Sequence, residues 1–521
     1  MSDSKTRASW PSTFRAFCHP RVITLFFFGI TAGIPLLLIF SSLSLWLREA
    51  GVERAAVTYF SWAALGYSFK FVWAPVVDKL PLPLLTAWLG RRRSWLIFSQ
   101  LMVISAITMM ALINPIGDNL TAMAFAAVFL GFSAATQDII IDAYRIESAG
   151  RELQALMSSS YIAGYRIGML IAGAGVLFLA SYFGSEIGQY NFLAWQLSYL
   201  FMAALMLTGV ITTLIIAEPA TQYKEFLTHE RHEHFNFLIL FILVITSFIA
   251  CFYITSEPAE TLKKNVTLFF ANPYIASFLI ELFRLLCALI VTTILAKLLI
   301  ASGLVSKKLA EQAYIEPIKS FFQQYGYSLA WLLLILVGTY RISDIVLGVI
   351  SNVFYQDLGF SKIEIASVVK SFGLLMTLVG GFLGGALVLR YGVLRILFIG
   401  ALLSALTNLL FMLLAKVGHD MTLLYFVISA DNLSAGLASA AFIAFLSSLT
   451  NISFTAVQYA IFSSLMTLLP KALGGYSGSI VETLGYQQFF LITALMGLPV
   501  LFLITWTSKR FQLNKTTLPN K

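Results

Sequence analysis

Runs of about 20 mostly apolar residues recur along almost the whole chain, and no other feature limits its fold so severely. They lie near 22–47, 55–77, 94–113, 120–144, 155–180 and 192–217, then 237–256 and 273–300, then 327–350, 363–389, 394–415, 421–446, 453–473 and 486–507. A helix satisfies its own backbone polar groups and so is what crosses lipid at this length. The chain therefore reads as an all-α polytopic membrane protein of about 14 transmembrane helices. Only 11% of its 521 residues are charged, against roughly 25% in soluble domains, and mean hydropathy is +0.85. Those values exclude an ordinary soluble enzyme and a disordered chain. The first run is too long for a signal-peptide core, and it reads as a retained span.

The net charge of +9 follows topology. With the N-terminus inside, about 22 Lys and Arg fall on inner segments and about 7 on outer loops, which places both termini in the cytoplasm. An even number of spans is then required. The basic balance implies no nucleic-acid partner, only the lipid bilayer. The longest polar stretches, 218–236 and 303–326, bracket the pair of runs at 237–300. The expected order is a cytoplasmic tail (1–21), a six-helix half (22–217), cytoplasmic loops with a two-helix insert (218–326), a second six-helix half (327–507) and a cytoplasmic tail (508–521). Secondary transporters built from two such halves bind substrate between them, near the midplane.

Ionisable side chains inside spans are costly and mark function. As many cations as anions lie there: Lys70, Arg166, Arg284, Arg341 and Lys370 against Asp138, Asp142, Glu281, Asp344 and Asp431. Asp138 and Asp142 are four apart, on one helix face, flanked by Gln137 and Tyr144. Two carboxylates so close cannot both ionise cheaply in a low dielectric, which makes them candidates to hold and release a proton. A salt bridge from Asp142 to Arg145, with no proton role, is the alternative. Lys70 and Arg166 are expected to serve those acids or an anionic substrate. Arg341 and Asp344 are three apart and suit either a structural bridge or a substrate site. Glu281 and Arg284 have the same spacing and read as self-paired. Lys370 lies toward the outer end of its run, where it can snorkel. Tyr67, Tyr161, Tyr165, Tyr340, Asn432, Gln458 and Tyr459 accompany the charges and suit a sugar or peptide ligand.

The loop from Asp78 to Gly90-Arg91-Arg92-Arg93 resembles a stretched form of the acidic, glycine and basic loop of major facilitator transporters. There Asp78 pairs with helix-end cations to hold a gate state, and the arginines meet anionic headgroups. Gly385 to Arg390-Tyr391-Gly392 and Arg395 reads as a degenerate repeat, with Leu389 in the place of the acid. His229, His232 and His234 form no convincing metal site. Cys18, Cys251 and Cys287 form no disulfide or zinc framework. Asn119, Asn265 and Asn451 open sequons of the kind that arise by chance. Walker A, nucleophile-triad and zinc-helix motifs are absent from the sequence, so it reads as no enzyme and needs no cofactor beyond a proton gradient.

Several segments resemble AmpG-type anhydromuropeptide permeases, a branch of the major facilitator superfamily. They are Leu45-Trp-Leu-Arg-Glu-Ala-Gly-Val52, Lys70-Phe-Val-Trp-Ala-Pro-Val-Val-Asp78, Gly90-Arg-Arg-Arg-Ser-Trp95 and Gln137-Asp-Ile-Ile-Ile-Asp-Ala-Tyr-Arg145. Tyr340-Arg-Ile-Ser-Asp344, Lys370-Ser-Phe-Gly373 and Asn451 to Ala460 continue the match. The resemblance implies a multi-pass protein of the bacterial inner membrane with two extra helices between its halves. It implies proton-driven import of N-acetylglucosaminyl-anhydromuramyl peptides for wall recycling, with a link to β-lactam resistance, and Asp138 and Asp142 as the proton-coupling pair. The chain is expected to act as a monomer. Arg341 stands where the family has Lys, and Asp431 where Glu is common before Asn432. Related branches carry ferric siderophores or other small nutrients, which is the alternative substrate class.

Overall fold

The computed structural model describes residues 16–52, 60, 65–150, 153–185, 189–219, 231–270, 273–360, 364–474 and 477–517. Among these the elements are helical throughout, and 13 helices are long and apolar enough to cross a membrane. Of the expected run 55–77, residues 55–59 and 61–64 lie outside the described set, and its described part is helical in short pieces, Leu65–Phe69, Lys70–Val72 and the start of Ala74–Lys79.

The N-terminal helices are α1 (Pro20–Glu49), α2 (Leu65–Phe69, continued by a tight turn at Lys70–Val72), α3 (Arg91–Leu112), α4 (Leu120–Ser148), α5 (Gln154–Tyr182) and α6 (Phe192–Ile215). Next come α7 (Arg231–Ile254), α8 (Ser256–Phe270) and α9 (Pro273–Ala301). The C-terminal helices are α10 (Glu316–Thr339), α11 (Ile342–Asp357), α12 (Gly373–Tyr391), α13 (Val393–Val417), α14 (Met421–Leu449), α15 (Thr455–Gly474) and α16 (Tyr486–Thr517).

The chain forms two compact units. One comprises 1–74, 82–221 and 321–521; the other comprises 75–81 and 222–320. In the second unit α9 packs against α7 and α8. Only 11% of the apolar window of α7, and of α9, is buried in protein, so both helices keep most of their apolar surface for lipid. Stretches outside the apolar runs are helical as well: α8 occupies Ser256–Phe270, and Lys307–Ala310, Glu311–Ile315 and the start of α10 fall within the polar stretch 303–326. These segments are helical but too polar to span, so hydropathy passes over them.

In the first unit α1 lies on α5 at unusually short range, because glycines face backbone. A Cβ on Gly29, Gly33, Gly164 or Gly168 would sit 2.0–2.2 Å from a carbonyl oxygen of the opposite helix. Without a hydrophobic drive between helices in lipid, such small-residue contacts supply the packing. Gly380 of α12 and Gly436 of α14 repeat the device in the C-terminal helices, at 2.1 and 2.2 Å from opposing carbonyl oxygens. The two sets of helices meet along two seams. In one, α5 packs on α12 and α14; in the other, α15 packs on α2 and α4. Helix α4, with 72% of its apolar window buried, is the most enclosed of the spans.

Candidate functional site: two charge clusters and a latch

The acids of α4 sit on the face that meets α2 and α15. Lys70 reaches them because its helix is interrupted. Pro75 has no N–H to give and its ring crowds the preceding turn, so a proline is best placed at the start of a helix. The α2 segment ends in a tight turn at Lys70–Val72 and a new helix begins at Ala74. Trp73 anchors the break by donating from its indole to Thr136 Oγ1 at 3.1 Å. Lys70 is 7% exposed, and its Nζ lies 3.6 Å from Asp142 Oδ2. Arg145 Nη2 lies 3.1 Å from Asp142 Oδ1. Asp142 thus stands between two cations. Asp138, equally buried, accepts one hydrogen bond, from the Tyr161 hydroxyl at 3.3 Å, and has no cation within ion-pair distance among the described residues. The two acids that look alike in sequence have unlike surroundings.

Gln137 and Tyr144 do not join them. Seven residues apart, they share the stripe of α4 that faces α1 and α6. Gln137 Nε2 donates to Thr31 at 3.4 Å. Tyr144 packs edge-on against Phe28 and donates to the carbonyl of Ala217 at 3.4 Å.

A second cluster lies in the C-terminal helices, again at an interruption. The helix breaks between Thr339 and Ile342, which leaves Arg341 at the turn. Its Nε is 3.0 Å from Asp344 Oδ2, and its Nη1 donates to Ser439 at 2.5 Å. Ser404 donates to the other oxygen of Asp344. Asp431 accepts from Thr407 at 3.3 Å. Asn432 is occupied in packing: its Oδ1 accepts from Thr377 of α12 at 2.9 Å and its Nδ2 donates to Ile428. Tyr340 belongs to the core, stacked on Phe442 with its hydroxyl on the Leu397 carbonyl. Lys370 is exposed, near the end of a π-helical stretch, Ile365–Phe372. Arg166 lies near the middle of α5 with its side chain exposed. A guanidinium at such depth costs roughly 2.5–3.5 kcal/mol on insertion scales. In the other unit, Arg284 donates to the Phe252 carbonyl at 2.6 Å and to Thr255 at 3.2 Å. The side chain of Glu281, its expected partner, lies outside the described residues.

At the end of the bundle that the charge bias assigns to the cytoplasm, the three arginines do not serve as one headgroup anchor. Arg92 binds Glu147 with Nε at 2.9 Å and Nη2 at 2.5 Å, and Arg91 is 3.4 Å from the same carboxylate. Thr455 of α15 donates to Glu147 and accepts from Arg92. Arg93 instead closes the end of α6, donating to the carbonyls of Thr213 and Leu214. Arg145 carries a second link, to Ser447 of α14 at 2.6 Å, with its guanidinium over the Tyr459 ring. Together these contacts latch the N-terminal and C-terminal helices at this end.

Gly90 makes the turn into α3 with φ of 85°, and a Cβ there would lie 2.5 Å from Glu218 Cγ. That approach lets Glu218 accept from the Arg92 and Arg93 amides at 2.8 and 3.0 Å, a carboxylate at a helix N-terminus. Burial raises the Glu218 carboxyl above its ordinary range, and the two amide hydrogen bonds oppose the shift. Gly392, with φ of 89°, makes the equivalent turn between α12 and α13, as a degenerate repeat of the motif requires. Asp78 is buried on the short helix Ala74–Lys79, within the other compact unit. Sequence reading missed Glu147, Glu218, Ser447 and Thr455. The acids at span ends were visible as basic-loop neighbours, but a serine and a threonine carry no such signal.

The Major Facilitator Superfamily model matches residues 21–343. A protein of Rickettsia felis named putative transporter AmpG 4 is 30% identical over 496 residues, covering 95% of this chain and 98% of that protein. The anhydromuropeptide permease of Escherichia coli K12 is 28% identical over 491 residues, covering 94% and 80%. Among solved structures, a double-Trp mutant of XylE aligns with a TM-score of 0.60 at 11% identity, covering 95% and 96%. The E. coli fucose:proton symporter FucP aligns with a TM-score of 0.56 at 10% identity, covering 95% and 99%. These structures carry the fold alone. Helical architecture, family model and full-length relatives agree that this is a multi-pass membrane transporter and no enzyme, and that it takes a small molecule as substrate. The chain belongs to the AmpG-type permeases of the major facilitator superfamily.

Proposed function

We propose that this protein imports N-acetylglucosaminyl-anhydromuramyl peptides across the bacterial inner membrane, driven by the proton gradient, to feed peptidoglycan recycling. Where the host has an inducible β-lactamase, the same flux would feed its induction. The substrate follows the E. coli permease and the transporters named AmpG. The observation that carries the coupling is the asymmetry of the α4 acids. Asp142 is compensated by Lys70 and Arg145, while Asp138 has a tyrosine hydroxyl and, among the described residues, no paired cation.

In this reading Asp138 carries the proton. Ionised, it draws on Lys70, which lies within its electrostatic reach, and weakens the hold of Lys70 on Asp142. Asp142 in turn positions Arg145, which bonds to Ser447 across the seam. Proton loss at Asp138 thereby reaches the latch through one chain of side chains. The two six-helix sets, 22–217 and 327–507, rock about the space between them. No cofactor takes part, and one chain suffices.

The test is uptake of labelled anhydromuropeptide into vesicles, with and without an imposed proton gradient. Accumulation is expected to collapse with a protonophore and with Asp138→Asn, while the variant still inserts. Undiminished accumulation without a gradient would end the coupling claim. Failure to take up muropeptide, together with uptake of a ferric siderophore, would move the substrate to the related branch.

A further inference from the structure

Arg145 sits in the last turn of α4, and its guanidinium has two sets of partners. Across the seam, Nη1 donates to Ser447 of α14 at 2.6 Å, and the group lies over the Tyr459 ring of α15 at 5.0 Å. The other contacts stay within the N-terminal helices: Asp142 on α4 at 3.1 Å, and Gln154 Oε1 and Ser158 Oγ on α5 at 3.4 and 3.2 Å. A parting of the two sets of helices breaks the first group of contacts and leaves the second intact.

Gln154 is the member of the second group that grips residue 145 twice. It begins α5 and is 6% exposed. Its Oε1 accepts from the guanidinium, while its Nε2 donates to the carbonyls of Arg145, Ile146 and Ala149 at 3.0, 3.3 and 2.9 Å. These carbonyls belong to the end of α4, where acceptors run out of helical partners. The amide has one sensible orientation, since turning it over would aim its oxygen at three carbonyls and its nitrogen at a cation. Ser158 completes the arrangement by donating to the Gln154 carbonyl at 2.6 Å. One buried amide therefore fixes both the backbone and the side chain of the same arginine.

An arginine loses much rotamer freedom when it is fixed, and holding it beforehand in its bound pose lowers the cost of each new contact. We propose that Gln154 is a positioning residue for the latch. It holds the Arg145 guanidinium in the pose that meets Ser447 and Tyr459, so the cytoplasmic end recloses without reordering the arginine. The Nε2 bonds alone would suffice to cap α4; the bond from the guanidinium to Oε1 is what ties the cap to the latch. This role rests on the rocking motion proposed above, and neither on the identity of the substrate nor on the proton.

The experiment follows closure of this end in the full-length protein, in inside-out membrane vesicles. Cys18, Cys251 and Cys287 are replaced by serine, and Leu449→Cys, at a buried position, is labelled with an impermeant maleimide. Gln154→Met keeps the bulk and loses both hydrogen-bonding groups. Gln154→Glu keeps an acceptor for Arg145 and loses the donor. Both variants lose the cap and are expected to melt lower than the parent. Gln154→Met is expected to raise the labelling rate about two- to tenfold, the worth of one hydrogen bond, whereas Gln154→Glu is expected to stay near the parent rate. Ser447→Ala is expected to raise the rate by itself, and adding Gln154→Met to it is expected to change little, because the two residues act through one arginine. Equal increases in Gln154→Met and Gln154→Glu, or the same increase from Gln154→Met with and without Ser447, would reduce Gln154 to a helix cap and overturn the proposal. A rise for Ser447→Ala with none for Gln154→Met overturns the positioning role and leaves the latch and the transport reading standing. An unchanged rate for Ser447→Ala removes the latch contact at Arg145, and the proposal with it.

Discussion

Arg92 holds Glu147 through Nε at 2.9 Å and Nη2 at 2.5 Å, and neither side chain has any exposed surface. The pair joins the start of α3 to the end of α4, and Thr455 of α15 hydrogen-bonds to both partners. A contact within the N-terminal helices thus fixes a contact to the C-terminal helices. Removing one member of a buried pair leaves an uncompensated charge, at a cost of roughly 3–5 kcal/mol. Glu147→Gln is expected to lower the melting temperature and to loosen this end. A cysteine at the buried position Leu449, labelled with an impermeant maleimide from the cytoplasmic face, reports the loosening. A rise of about tenfold in labelling rate corresponds to a shift of ~1.4 kcal/mol toward the open state. An unchanged rate would show that Glu147 does not restrain opening.

Lys70 and Asp142 are expected to behave as one unit. Lys70→Gln leaves Asp142 with Arg145 alone, and Asp142→Asn leaves Lys70 buried without its acid. Both single variants are expected to destabilise the protein, and the double variant to cost less than their sum. The interaction free energy expected from the double-mutant cycle is about 1–3 kcal/mol. Strict additivity in thermal or denaturant unfolding would deny the pairing.

Glu218 gives a dependence on pH whose sign is fixed by its environment. Burial raises its carboxyl above the ordinary value of 4.5. The folded protein therefore binds this proton more tightly than the unfolded chain. The stabilising contribution is complete below the ordinary carboxylate range and is lost as pH rises through the raised value. Glu218→Gln keeps an oxygen to accept from the Arg92 and Arg93 amides but cannot titrate. In melting experiments from pH 4 to 7, as test conditions around that ordinary value, the wild type is expected to lose stability relative to Glu218→Gln as pH rises. A constant difference across the range would refute the assignment. Glu218→Ala is expected to be less stable than Glu218→Gln at every pH, because it also removes the cap.

Glycine at the α1–α5 crossing can be tested against glycine elsewhere in a span. At Gly164 a Cβ would lie 2.0 Å from the Phe26 carbonyl, whereas at Gly381 it would meet nothing within 4 Å. Gly164→Ala is expected to force the helices apart at a cost of roughly 1–3 kcal/mol. Gly381→Ala is expected to be neutral or slightly stabilising, since alanine favours the helix. Similar melting temperatures for the two variants would mean that the crossing yields without cost.

The spans that the structure describes in full were legible because lipid allows few choices. An apolar run of the right length has to be a helix, so 94–113 and 421–446 fall within a few residues of Arg91–Leu112 and Met421–Leu449. The polar helix Ser256–Phe270 was not legible, since hydropathy reports only what lies in the hydrocarbon. The Arg341–Asp344 bridge was legible from its i, i+3 spacing, which sets a distance by helix geometry alone. Lys70 against Asp142 was open to several partners, because the break that turns Lys70 inward is a property of how Pro75 and Trp73 sit.

The sequence by itself determined the class, an all-helical chain of long apolar runs, because burial in lipid acts residue by residue. It also named the ionisable groups that the membrane encloses. Which of them are paired was decided by tertiary structure. Asp138 and Asp142 differ by one helical turn, and a sequence cannot say that one meets two cations while the other meets a tyrosine. The same holds for Gln137 and Tyr144, drawn to α1 and α6 by their side of the helix, and for Thr455, which acquires its role only when α15 lies against Glu147. Pairing across helices depends on distances of a few ångströms between segments up to hundreds of residues apart, and only the packed bundle sets those distances.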